Sequence, residues 1–265
     1  MVFWPMGSGR NSPRKKVSTD FLRGMLSESE RLDYIDALHC LQSKPPILPR
    51  DQYPGVRHRM DDFSASDCLA KCTRHLFGWH RHFVLWEKAL QGECVYRGHQ
   101  PYWDWALSAD NISASPIFDG SPTSLSGDGD PIPQDPFFKL LFTSQRDVDR
   151  LLKSHSITEL QIYIDFSDWP ELGKAGIMGP HAVAHMQLGR TMDDFWTAPQ
   201  DLSFFLHRAQ VDRVWTLWQN SIHNAPRTPE VTLDTELHFG WLDPSRTLKE
   251  MMSTEDYHLC YKYGS

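Results

Sequence analysis

Two histidines one helical turn apart, His181 and His185, stand in Gly179-Pro180-His181-Ala182-Val183-Ala184-His185. A proline at the first helical position starts a helix there, and imidazoles four residues apart project about 40° from each other around its axis, so both reach one ion. Neutral imidazole suits transition metals, copper and zinc among them. Zinc hydrolysis of the HExxH kind is disfavoured, because the general base of that motif would stand at position 182, which is Ala182. A mononuclear site at His181 and His185 is the smallest reading of this pair, and chance spacing in a chain with 13 His is the plainest. A second candidate, His80, lies in Phe77-Gly78-Trp79-His80-Arg81-His82-Phe83-Val84-Leu85-Trp86-Glu87. By itself it reads as a core histidine bonded to a carboxylate such as Glu87.

The elements that position these residues are mainly helical. Ser27-Glu28-Ser29-Glu30 has capping-box spacing and opens a helix whose Leu32, Ile35, Leu38 and Leu41 recur on one face until Lys44-Pro45-Pro46. A second helix is predicted over Met60 to Lys71. A third runs over Phe77 to Leu90, with Trp79, Phe83, Trp86 and Leu90 as its core stripe. Helical spacing returns over Gln145 to Lys153, Pro180 to Leu188 and Asp201 to Gln219, where Phe204, Val211, Trp215 and Trp218 share a side. Gln161 to Phe166 is the best strand signal. Leu107 to Pro136, rich in Ser, Pro, Gly and Asp, is expected to be a long surface excursion. Residues 1–20, with Arg14-Lys15-Lys16, are expected to form a poorly ordered basic arm, and 21–265 one domain.

Several blocks in order carry a family resemblance. Trp79-His80-Arg81, Glu87 and Gln100-Pro101-Tyr102-Trp103-Asp104-Trp105 resemble the first copper-binding region of the tyrosinase family, as found in fungal tyrosinase-like proteins. His181, His185 and the run from Asp201-Leu202-Ser203-Phe204-Phe205-Leu206-His207-Arg208 through Asp212 to Trp215 resemble the second. The resemblance extends from about Arg31 to Leu259-Cys260-Tyr261. It implies a four-helix-bundle core of tyrosinase/haemocyanin type with long loops and little strand. It also implies two coppers, each held by three histidines, that activate dioxygen to hydroxylate or oxidise phenols.

Three positions depart from the family pattern. Counting four residues past Phe63 reaches Asp67, and nine back from His80 reaches Lys71, where the resemblance implies histidines. The Phe63 to His80 interval is about four residues shorter than the family's. His75 is the nearest substitute, with Cys68, Cys72 and His58 more remote. In the second region Arg208 takes the place of the third ligand, and a guanidinium has no lone pair to give a metal. His207, about 100° round the same helix, is expected to ligate only if the helix end rotates or frays. Arg208 and Asp212, four apart, could pair with each other. The candidate metal ligands are therefore His80, His181 and His185, with His75 and His207 as stand-ins.

A hydrophobic fraction of 40% with 23% charged residues is that of a globular chain, and a net charge of -7 gives no surface for nucleic acid. No run is long and apolar enough for a membrane span. As written the chain is expected to stay in the cytoplasm, and to be secreted if its N-terminus is truncated. Five cysteines are too few for a disulfide framework, while one or two bridges remain open. The function implied is a copper monooxygenase or oxidase acting on a phenolic or tyrosyl substrate with dioxygen, in secondary-metabolite biosynthesis. The alternative is a tyrosinase-fold accessory protein that has lost dicopper chemistry.

Overall fold

The computed structural model describes residues 15–17, 26–70, 76–82, 84–112, 115–125, 144–165, 179–194, 196–221, 232–256 and 259–263. His75 and Lys71 lie outside these residues, and the side chains of Asp67 and Cys68 are likewise not described.

The chain is mainly helical, as expected. α1 (Glu28–Ser43) begins at the predicted cap: Ser27 Oγ accepts from the Glu30 amide, and the Glu30 carboxylate accepts from the Ser27 amide. Its buried face is Tyr34, Ala37, Leu38 and Leu41, so the expected stripe is rotated and Leu32 is left 38% exposed. α2 (Arg59–Ala70) is followed by α3 (Leu76–Arg81) and α4 (Val84–Cys94), which divide the single third helix expected from the sequence. At the break His82 turns aside to bond Asp243, Nε2 to Oδ2 at 3.0 Å. A disulfide joins Cys40 of α1 to Cys94 of α4.

α5 (Gln145–Leu151), α6 (Ile157–Asp165), α7 (Pro180–Leu188) and α8 (Ser203–Gln219) are the remaining α-helices among the described residues. α6 corrects the expected strand at Gln161 to Phe166. Ile157, Leu160 and Ile164 are all buried, and their spacing of three and four is helical, while Ile162 points outward and is 45% exposed. α3 and α7 both pack on α8, and α6 packs on α7. Phe63 of α2 meets Trp86 of α4 edge-on at 5.2 Å, and Trp86 stacks on Phe205 of α8 at 3.7 Å between ring centroids. The bundle core is thus α2, α3 with α4, α7 and α8.

Strand is scarce. β1 (Lys15–Val17) pairs in parallel with β4 (Tyr261–Tyr263), so part of the stretch expected as a loose arm has a backbone partner. β2 (Glu236–Leu237) and β3 (Arg246–Thr247) form a short antiparallel pair. Ser126 to Pro131 of the expected surface excursion lies outside the described residues, whereas Ile112 and Ile117 in its first half are buried.

One ionic network ties α3 to α8 and the C-terminal strand. Arg81, fully buried, donates from Nε to Asp212 Oδ1 at 2.6 Å and from its other nitrogens to Met251 O, Met252 O, Thr216 Oγ1 and Gln219 Oε1. Asp212 also accepts from the hydroxyls of Tyr261 and Tyr263. The expected Arg208–Asp212 pair is therefore not made, because Arg81 fills the carboxylate's charge requirement from another helix.

Candidate metal centre

α7 and α8 meet where their histidines face each other. One ring nitrogen from each of His181, His185 and His207 lies within 4.8 Å of the other two. His181 stacks on His207 with ring centroids 4.9 Å apart, while His185 stands edge-on to both at 4.9 and 4.6 Å. His80, from α3, approaches His181 edge-on at 5.1 Å. Four imidazoles from three helices therefore share one pocket of the core. His80 and His207 are buried; His181 and His185 are half-buried and form its more open side.

His207 corrects the expectation drawn from ligand counting. α8 is intact through this turn, and His207 reaches the cluster without fraying, because the face it occupies is the one turned toward α7. Arg208 faces α3 instead. Its Nη2 donates to Trp79 O at 2.6 Å and its Nε to His80 O at 3.3 Å, and its guanidinium lies 4.7 Å from the Trp79 ring centroid. It thereby caps the end of α3, adding to the His82 amide on Trp79 O and supplying a donor to His80 O. His80 does not bond Glu87 as the plainer reading had it. Glu87 accepts from the Gln100 amide and from Gln91, holding the segment that leads to Trp105.

Three of the rings are oriented alike. His80 Nδ1 donates to Leu76 O at 2.7 Å, His185 Nδ1 to Met192 O at 2.7 Å, and His181 Nδ1 to Asp165 Oδ1 at 2.6 Å. Carbonyl and carboxylate oxygens only accept, so each Nδ1 carries a proton, and in the neutral ring Nε2 keeps its lone pair. The Nε2 of His181 is buried with no hydrogen-bond partner. A buried lone pair without a donor is costly, and a bound cation removes that cost. Burial, with the neighbouring His181 and Arg208, holds His80 well below the ordinary imidazole range; burial and His185, His181 and His80 do the same for His207. Neutral rings are the form that binds metal.

His207 is set differently. Trp105 Nε1 donates to its Nδ1 at 3.0 Å, and an indole N–H can only donate, so the ring proton resides on Nε2. Ligation through Nε2 then competes with the Trp105 bond. Trp105→Phe is expected to tighten copper binding by about the tenfold that one hydrogen bond of ordinary strength represents; a competition titration against a copper chelator checks this, and weaker binding would contradict it.

Comparison with known proteins agrees with this geometry. The common central domain of tyrosinase matches residues 31–140 and 134–221. The chain belongs to the tyrosinase family. Oxidase hkm6 of Aspergillus hancockii is 51% identical over 286 residues, covering 78% of this chain and 100% of that protein. Tyrosinase P of Aspergillus terreus is 34% identical over 325 residues, covering 91% and 90%. Both alignments are longer than this 265-residue tyrosinase-family chain, so both relatives carry segments that it lacks. Among solved structures, a polyphenol oxidase mutant from Thermothelomyces thermophila superposes with a TM-score of 0.81 at 27% identity, covering 96% of this chain and 91% of that one.

Of the histidines predicted from sequence, the structure brings together His80, His181, His185 and His207. Asp165 and Trp105, which orient two of them, were not anticipated. Trp105 belongs to the motif that carries the family resemblance, which was its only signal; Asp165 had none.

Proposed function

We propose that this tyrosinase-family chain is a copper-dependent oxidoreductase that uses dioxygen to hydroxylate or oxidise a phenol, within fungal secondary metabolism. The observation that carries this is the set of three anchored imidazoles, His80, His181 and His185, each keeping a lone pair on Nε2 in the same pocket. His181 and His185 would hold one copper with His207 beside them, and His80 would face the second. Copper supplies the electrons that reduce dioxygen. The chain's own residues fix the ring orientations, exclude water from His80 and His207, and present aromatic walls. Trp103, Trp105 and Phe204 lie at 6.3, 5.3 and 6.1 Å from neighbouring histidine rings. All three are buried and pack the cluster from the protein side.

A free phenol or a tyrosyl group is the substrate class we infer. The family relationship supports it, as does a relative named N-acetyl-6-hydroxytryptophan oxidase, from Emericella nidulans, at 29% identity. The accessory-protein reading is not favoured, because the curated relatives bear the names of oxidases and tyrosinases. The Cys40–Cys94 bridge supports folding in an oxidising compartment over the reducing cytoplasm. Among the described residues, no helix is long and apolar enough to cross a membrane.

Oxygen uptake by the copper-loaded chain tests the reading. Consumption is expected with a catechol or a monophenol and is expected to stop on chelation. Uptake that survives complete copper removal would refute it.

A further inference from the structure

Of the three donor-type Nδ1 groups, two meet neutral backbone carbonyls and one meets a full negative charge. That one is His181, on Asp165 Oδ1 at 2.6 Å. The contact is built by the way α6 meets α7. The Gly179 amide, at the N-cap of α7, donates to Asp165 O at 3.1 Å, so backbone and side chain of Asp165 both hold the start of α7. The approach is closer than any side chain allows: a Cβ at Gly179 would lie 2.4 Å from the carbonyl oxygens of both Tyr163 and Ile164. Gly179-Pro180-His181 thus has a reason for each residue. The glycine admits the close approach, the proline starts the helix, and the histidine is delivered to the carboxylate at the end of α6.

We propose that Asp165 is a positioning residue for the metal centre: it fixes His181 as the Nδ1–H tautomer, aims its Nε2 into the cluster and raises its donor strength toward copper. The role rests on the copper reading above. A carboxylate partner polarises the imidazole toward imidazolate, which strengthens its bond to a metal ion; outer partners of this kind are typically worth 10- to 100-fold in metal affinity. The charge acts at one ring alone, so His181 becomes the strongest donor of the four. The negative charge favours the more highly charged copper ion, and Asp165 therefore lowers the potential of the site.

Two measurements separate this inference from the copper reading. In the metal-free chain, labelled with ¹⁵N-histidine, long-range nitrogen–proton correlation is expected to show His181 as Nδ1–H. The Asp165→Ala variant is expected to show a mixture of tautomers, and added acetate, which can supply the missing carboxylate, is expected to shift it back. A His181 found as Nε2–H in the native chain overturns the proposal whether or not copper binds. In the copper-loaded chain, Asp165→Asn, which keeps the shape and removes the charge, is expected to weaken Cu(II) binding about 10- to 100-fold. It is also expected to raise the reduction potential and change the copper EPR hyperfine splitting, with Asp165→Glu recovering part of each. An Asp165→Asn protein that matches wild type in affinity, potential and spectrum overturns the proposal, since a merely structural contact would leave the spectrum alone. Failure of the native chain to take up copper would strike the proposed function and leave the tautomer measurement to decide the role of Asp165.

Discussion

Replacing His185 by Phe is expected to abolish copper uptake at the α7–α8 site and, with it, phenol oxidation, while leaving the fold in place. His185 sits at the centre of the cluster, with ring centroids 4.9 Å from His181 and 4.6 Å from His207. Its Nδ1 is tied to Met192 O, so the ring has one orientation and offers Nε2 alone. Removing an outer partner of a ligand costs about 10- to 100-fold in metal affinity, and removing the ligand itself costs more than that. Phe conserves the ring volume at a half-buried position, so the packing loss should stay within roughly 1.5 kcal/mol. Copper per chain, measured on purified protein, and oxygen uptake with a catechol check the result. His155→Phe serves as control, since the His155 side chain is 81% exposed and pairs with Glu159. Equal copper content in the His185 and His155 variants would show that the cluster is not the metal site.

The second large effect concerns stability. Arg81→Met should cost about 3–5 kcal/mol, because it leaves the Asp212 carboxylate buried without its cationic partner. Both side chains have no solvent exposure, at a separation of 2.6 Å. The two tyrosine hydroxyls that remain on Asp212 supply hydrogen bonds but no compensating charge. Five further contacts vanish with the guanidinium, including its position 3.6 Å above the Trp215 ring. Urea unfolding followed by tryptophan fluorescence measures the loss. A double variant, Arg81→Met with Asp212→Leu, is expected to recover part of it, since the cost lies in the orphaned charge. A single variant as stable as wild type would show that the network is not needed for the fold.

Much of the architecture was legible because helical periodicity is a local property. α7 occupies the predicted Pro180 to Leu188, and the Ser27 cap was visible as a spacing of serine and glutamate. Errors arose where one residue serves two periods. Gln161 to Phe166 has the composition of a strand, whereas Ile157, Leu160 and Ile164 have the spacing of a helix, and α6 packs on α7 through such a face. The site was legible in part for the same reason. His181 and His185 share a helix, so their proximity follows from its pitch. Which of His207 and Arg208 faces them depends on how α8 is rotated against α7, a tertiary quantity that ligand counting cannot supply. Sequence places Arg208 at a ligand position where it has no lone pair to give; the carbonyls of Trp79 and His80 draw it toward α3. Asp165 is 16 residues from His181, and no spacing rule connects the end of one helix to the start of another across such an interval.

The Cys40–Cys94 bridge bears on how the segment before His80 is held. The bond closes a loop with a sequence separation of 54, which in the chain-entropy account stabilises the fold by about 4 kcal/mol. That loop encloses α2, α3 and the interval from Phe63 to His80. With both ends of the loop fixed by a covalent bond, α1 and α4 stay together even when the segment between them opens. The bridge therefore acts as a clasp, confining any local unfolding before His80 to the inside of the loop.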